Sequence, residues 1–164
     1  MLIAVVSDTH YGDKTVNLPS TLFDVLTKKG PDLILHAGDV TSSELLERLE
    51  EFAPVLAVRG NADHLNLPEE KVFEAEGLGV GVIHGHQLIS LNSQFLTYKA
   101  LDMGVDLLVF GHTHRFYSEV ASFKGSRVLL LNPGSPTFPR MDAAGFVFLE
   151  ISEAEAHVER VKFW

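Results

Sequence analysis

The sequence predicts an α/β fold in one domain, with two sheets facing each other. Two observations carry that expectation. The first half alternates short apolar runs with amphipathic stretches, and each apolar run ends in a cluster of Asp, His or Asn. The second half changes to apolar runs separated by tight Gly- and Ser-containing turns, the pattern of antiparallel hairpins. Strand–helix alternation implies parallel strands joined by crossover helices, so parallel and antiparallel pairing should meet in one molecule.

Residues 2–6, LIAVV, are wholly apolar and read as a strand buried on both faces. Asp8, Thr9 and His10 follow. Residues 18–29 have helical spacing, with Leu22, Phe23, Val25 and Leu26 near one stripe. Ser20 is a candidate cap, and Gly30-Pro31 stops the helix. Residues 33–35 form the next strand, ending in His36-Ala37-Gly38-Asp39. A second helix opens at Ser42 or Ser43 and runs to about Phe52, with Leu45, Leu46 and Leu49 inward. Residues 55–58 are a third strand, followed by Gly60-Asn61. In open α/β sheets, ligands bind outside the carboxyl ends of the strands, so Asp8, His10, Asp39 and Asn61 should share one rim.

Residues 72–75 and 80–83 flank a Gly-rich turn and read as a hairpin, followed by His84-Gly85-His86. A third helix spans 92–103, capped by Asn92 or Ser93. Residues 107–110 form a strand that ends in Gly111-His112-Thr113-His114. Antiparallel strands are expected at 118–121, 128–131, 145–151 and 157–163, with turns at Lys124-Gly125 and 152–154.

Composition narrows the functional classes. The 164 residues are 46% apolar and 21% charged, enough for one sizeable core. With no cysteine, disulfides and thiolate metal sites are excluded, and any metal must rest on His, Asp, Glu, Asn or backbone oxygen. A formal net charge of −9 argues against extended nucleic acid and anionic membrane as partners, although a local cationic pocket remains compatible with it. The opening MLIAVVSDTH lacks a basic stretch and a small-residue cleavage site, so it reads as a strand rather than a signal peptide. The cytoplasm is the expected location.

His112 and His114 sit two apart after a buried strand. In extended chain, i and i+2 point the same way, and neutral imidazole is the commonest metal ligand. Each polar cluster alone has an ordinary explanation. Asp8 can cap a turn, Asn61 can sit in one, and His84 can be a core histidine. All of them together, at successive strand ends, are hard to reconcile with chance.

In that order, DTH, GD, GN, HGH and GHTH resemble the calcineurin-like metallophosphoesterase superfamily. Asn132-Pro133-Gly134-Ser135 with Pro139-Arg140 is similar to its small bacterial and archaeal phosphodiesterase branch. The resemblance implies a four-layer α-β-β-α sandwich of two mixed sheets with outer helices. It implies two divalent metal ions, manganese first, with nickel, iron, cobalt or zinc also suited to these donors. Asp8, His10 and His114 would hold one ion; Asn61, His84 and His112 would hold the other; Asp39 would bridge them. A pair about 3.5–4 Å apart clamps a phosphoryl group and activates a bridging hydroxide for in-line attack.

One position departs from the pattern. Many members carry His directly after the metal-binding Asn, as acid for the leaving group; here it is Ala62. Asp63, which in the family orients that His, is retained. His86 ranks first as a replacement acid, with His64 or water as alternatives and hydrogen bonding to a ligand as its other reading. His36 reads as structural and His157 as solvent-facing. Arg59, Arg115 and Arg140 can touch phosphate or form surface ion pairs, and Ser135 can line the site. The expected activity is hydrolysis of small phosphodiesters. A phosphomonoesterase or nuclease with the same metals is the alternative enzyme. A non-catalytic protein-binding scaffold, as in a retromer relative with degraded metal motifs, is the alternative outside enzymology. The resemblance also permits a homo-oligomer.

Overall fold

The computed structural model describes residues 1–163. The elements in order are β1 (Leu2–Val6), α1 (Ser20–Lys29), β2 (Leu33–His36), α2 (Ser43–Glu50), β3 (Val55–Ala57), β4 (Glu70–Ala75), β5 (Leu78–Ile83), α3 (Ser93–Met103), β6 (Leu107–Val109), β7 (Phe116–Phe123), β8 (Ser126–Pro133), β9 (Gly145–Ser152) and β10 (Glu155–Lys162). They make two five-stranded sheets, β10-β9-β1-β2-β3 and β4-β5-β6-β8-β7. Both are mixed. β1, β2 and β3 are parallel while β9 runs against β1 and β10. In the second sheet β5, β6 and β8 are parallel and the two edge strands are antiparallel.

The period-2 alternation of strands sorts the core into three layers of contact. From β1, Ile3 and Val5 face the other sheet, meeting Val80, Val82, Leu107 and Val109. Ala4 and Val6 face outward and are covered by Leu22 and Leu26 of α1 and Leu45 and Leu49 of α2. On the far side, Leu96 and Ala100 of α3 cover Leu108, Val128 and Leu130. Helix, sheet, sheet and helix are thus stacked in the four layers expected. Each fully buried leucine in these layers contributes roughly 1.5–3 kcal/mol.

Local signals explain most boundaries. α1 stops at Gly30, whose φ of 59° closes the helix in the left-handed region. Ser20 is not its cap; Pro19 holds that position and makes no side-chain bond, because a proline pre-set for an extended turn takes the place a capping hydroxyl would use. Asn92 does cap α3, accepting from the Phe95 amide at 2.9 Å. The hairpin turns pair two positive-φ residues, Glu76-Gly77, Lys124-Gly125 and Glu153-Ala154, the hand that matches strand twist. β7 and β8 are longer than the apolar runs suggested. Their polar positions, such as half-buried Glu119 on the edge strand β7 and exposed Arg127 at the start of β8, reach solvent, where polar side chains are tolerated. Among the described residues no helix is long and apolar enough to cross a membrane.

Candidate metal centre

The carboxyl ends of the parallel strands meet on one rim. The Asp8 amide donates to Gly38 O and the Gly111 amide to His84 O, each at 3.0 Å, so the first sheet's β1 and β2 loops lock together and the second sheet's β5 and β6 loops do likewise. His112 N reaches across between the sheets to Asp8 Oδ2 at 3.0 Å. The loops are bent hard to achieve this. Asp8, His10, Asp39, His112 and His114 all have positive φ, between 47° and 70°. Asp and His tolerate this region better than most residues, yet each still costs on the order of 1 kcal/mol. Gly111 is needed for the close approach: a Cβ there would stand 2.1 Å from Ser7 Oγ and 2.9 Å from Asp8 Oδ2.

Asp8, His10, Asp39 and His114 are all buried, and one donor atom from each lies within 4.8 Å of the others. His114 Nε2 is 3.3 Å from Asp8 Oδ1, and His10 Nε2 is 3.4 Å from Asp39 Oδ2. A second group adjoins the first. Asn61 Oδ1 is 3.0 Å from both His84 Nε2 and His112 Nδ1. His84 Nε2 is also 3.3 Å from Asp39 Oδ2, which therefore stands between the two groups. All seven residues singled out from the sequence come together.

The i, i+2 spacing of His112 and His114 does not bring their rings to one point as it would in extended chain, because both residues are left-handed and their rings diverge. His112 turns to Asn61 and His114 to Asp8.

Fixed tautomers aim the donors. His84 Nδ1 donates to Ala37 O and His114 Nδ1 to Phe138 O, both at 2.7 Å, which leaves each Nε2 lone pair facing the cluster. His10 Nδ1 lies 3.2 Å from Asp13 Oδ2, a partner the sequence reading did not pick out; nothing in its spacing marks it. Asp8 Oδ1 and His10 Nε2 are buried with no hydrogen-bond partner. Buried polar atoms are normally satisfied. Two orphans at the middle of an Asp/His cluster are what a cation would satisfy, so the donors fit a divalent metal.

Electrostatics agree. Burial pushes the Asp8 carboxyl up to about 6, because its charge has left water. Burial also opposes ionisation of Asp39, but the His84 hydrogen bond and charge and the Ala62 amide outweigh it and hold that carboxyl below its usual range. Burial opposes a charge on His84 as well; the Asp39 hydrogen bond and the Asp8 and Asp39 charges prevail and raise it. Burial, followed by the Arg140 charge, lowers His114 to about 4. A cation would replace the proton on His84 and keep Asp8 ionised, so binding releases protons.

The remaining candidates separate by position. Asp63 lies behind the rim, where its carboxylate accepts from the Gly60, Asp39 and Thr41 amides at 2.7, 2.9 and 2.7 Å. It orients no histidine; it holds the loops of Asp39 and Asn61 in place. His86 is half-buried, its ring 5.4 Å from that of His84, with Nδ1 unpartnered. His64 is exposed. His36 is fully buried against Thr9 Oγ1 at 3.0 Å, as a structural histidine would be. Arg59 pairs with Glu69, whereas Arg115 and Arg140 have no carboxylate partner among the described residues. Ser135 Oγ donates to Asp8 O at 2.8 Å, bracing the loop.

The sequence profile of the calcineurin-like phosphoesterase superfamily domain matches residues 1–154. The chain belongs to the calcineurin-like phosphoesterase superfamily. Within it, the chain is 41% identical to a probable metallophosphoesterase of Methanocaldococcus jannaschii over 154 residues, 93% of this chain and 77% of that protein. It is 40% identical to a probable metallophosphoesterase of Methanothermobacter thermautotrophicus, covering 99% of this chain and 92% of the relative. The fold also matches wild-type Vps29 of Entamoeba histolytica complexed with Zn2+, at a TM-score of 0.84, 26% identity and 99% coverage of both chains. The buried Asp/His cluster is a candidate site for the divalent metal that the relatives' name, metallophosphoesterase, implies for them.

Proposed function

We propose that the protein is a dinuclear metal-dependent phosphodiesterase acting on small phosphodiesters. The observation that carries this reading is Asp39 Oδ2, 3.4 Å from His10 Nε2 on one side and 3.3 Å from His84 Nε2 on the other. One carboxylate serving two donor groups fits a bridge. Asp8, His10 and His114 would hold one ion with it, and Asn61, His84 and His112 the second. When bound, such a pair supplies Lewis acidity and an activated water for displacement at phosphorus. The chain's own residues contribute position and charge. Asp63 fixes the two loops, and Arg140, close enough to depress His112 and His114, adds positive potential for a phosphoryl group. Burial and the charge on His84 lower His86, so it is neutral near pH 7 and poor as a ready-made acid. With Ala62 beside Asn61, this chain suits esters whose leaving group needs little protonation, which favours diesters of acidic alcohols or phenols over monoesters. Manganese is the first choice of ion, the cytoplasm the proposed location, and a homo-oligomer is compatible with the reading.

The likeness to Vps29 favours one alternative, a non-catalytic scaffold. Turnover of a phosphodiester by metal-loaded protein separates the two, because the Vps29 of Entamoeba histolytica itself carries Zn2+; titration of Mn2+ into metal-stripped protein tests the metal pair. The proposal requires two ions per chain, and one or none in Asp39→Asn. Failure to bind any of Mn2+, Zn2+, Ni2+ or Co2+ would put the scaffold first.

A further inference from the structure

Sheet edges offer unpaired main-chain groups, and proteins blunt them with charge or with shortness. The four edges here are β3 and β10 of the first sheet and β4 and β7 of the second. β3 is three residues long. β4 carries exposed Glu70, Lys71 and Glu74, and β10 carries exposed Glu155, Glu159 and Lys162. β7 has neither defence. It runs for eight residues, FYSEVASF, against β8 without a bulge or a proline. Its one charge, Glu119, is half-buried and accepts from Ser93 Oγ at 3.0 Å and from the Tyr117 hydroxyl.

The Lys124-Gly125 turn sets which groups point outward. In a two-residue hairpin the flanking pair, here Phe123 and Ser126, is hydrogen-bonded, and bonded and non-bonded pairs then alternate along the ladder. Ser122, Val120 and Ser118 therefore turn N–H and C=O away from β8. All three are exposed, Val120 by 53%. Their main-chain groups have no outward partner among the described residues. Tyr117 and Ala121 pack toward α3, so Val120 stands on the opposite face of the strand. On the α3 side a groove of about 550 Å3 runs beside the strand, walled by Gln94, Thr97, Tyr98, Glu119, Ala121 and Phe123.

We propose that β7 pairs with β7 of a second copy of this chain across a two-fold axis at Val120, joining two five-stranded sheets into one. An isologous contact needs a self-complementary patch. The strand supplies one, because it reads alike in both directions about Val120: aromatic and Ser on one side, Ser and aromatic on the other, from Tyr117 to Phe123. Antiparallel pairing sets Tyr117 opposite Phe123 of the second copy, Ser118 opposite its Ser122, and Val120 opposite its Val120. No like charges stand directly opposite. The outward groups of Ser118, Val120 and Ser122 then form about six main-chain hydrogen bonds. The axis is perpendicular to the sheet, so both α3 helices stay on one face and close the groove, with its exposed Tyr98, from either side. Charge favours the same occupant. Copies of net charge −9 repel least where charge is sparse, and β7 is the least charged of the three longer edges.

Sedimentation velocity of the full chain over a range of concentrations tests this, at about 0.15 M salt, where repulsion is screened beyond roughly 8 Å. Wild type should pass from monomer to dimer with a Kd on the order of 10 μM, as a small interface gives. Val120→Lys sets two ammonium groups across the axis and should raise that Kd at least tenfold. The side chain is exposed in the protomer, so circular dichroism and the melting temperature of the dilute protein should stay as in wild type. Val120→Thr keeps a β-branched, uncharged side chain and should dimerise within about threefold of wild type. Amide exchange locates the contact: the Ser118, Val120 and Ser122 amides should slow as wild-type concentration rises, and should not in Val120→Lys. A wild type that stays monomeric would overturn the proposal and leave the edge to an extended segment of another protein. A dimer that Val120→Lys leaves intact, or that slows none of those amides, would overturn it by placing the contact elsewhere. No outcome depends on metal, so the pairing stands or falls apart from the phosphodiesterase reading.

Discussion

Asp8 and His36 are two buried titratable residues with opposite stability effects. His36 sits at about 3 against an ordinary 6.5, because burial first, and the charge on His84 next, exclude its cation. Between those values the unfolded chain binds a proton that the fold refuses, so stability is full above pH 6.5 and falls as pH drops through the window. Asp8, raised to about 6, acts the other way between pH 6 and 3.8, where the fold holds a proton the unfolded chain has lost. His36→Gln keeps a hydrogen-bonding group toward Thr9 but does not titrate. Urea unfolding of metal-free protein should therefore show wild type losing more stability than His36→Gln between pH 6.5 and 4. Identical slopes would mean that His36 is not held neutral.

At the scale of elements, the loops of the rim and the helix caps should respond differently. Removing the Asn92 cap in Asn92→Ala should cost about 1 kcal/mol and leave metal affinity intact, because α3 packs on the outer face, away from the donors. Gly111→Ala forces a Cβ against Ser7 and Asp8. It should cost about 1–3 kcal/mol by overpacking and weaken metal binding at least tenfold. Thermal melts with and without metal would measure both. The same contrast explains what was legible in the sequence. Polar clusters after buried strands marked the seven residues that gather at the rim, because apolar runs and glycine turns are local signals. Asp13 beside His10, and Asp63 bound to backbone amides instead of a histidine, depend on where loops fold in space. No periodicity reports that. The divergence of His112 and His114 was hidden for the same reason, since a positive φ at His or Asp leaves no mark in the residue type.

In the whole molecule, the sandwich acts as a frame for a strained rim. The layers were readable from the alternation of strands and helices. The sheet order was not, because the insertion of β9 against β1 is a long-range pairing that local pattern does not encode. The three packed layers oppose the strain of the left-handed loops and the two orphaned donors. A cation that binds only the folded rim should therefore stabilise the entire fold, by about 2.7 kcal/mol at a hundredfold excess over its Kd. Metal-stripped protein should melt several degrees lower than protein with Mn2+, and Asp8→Asn should lose most of that difference. An unchanged melting temperature would mean that the cluster is satisfied without metal.

The most direct test of the account is turnover. Metal-stripped protein is assayed with and without Mn2+ on bis(p-nitrophenyl) phosphate beside p-nitrophenyl phosphate, which share a leaving group that needs no acid. Hydrolysis should require metal, favour the diester, and fall at least a hundredfold in Asp39→Asn. Preference for the monoester would contradict the assigned substrate class, and no turnover of either ester with any tested metal would contradict the enzyme itself.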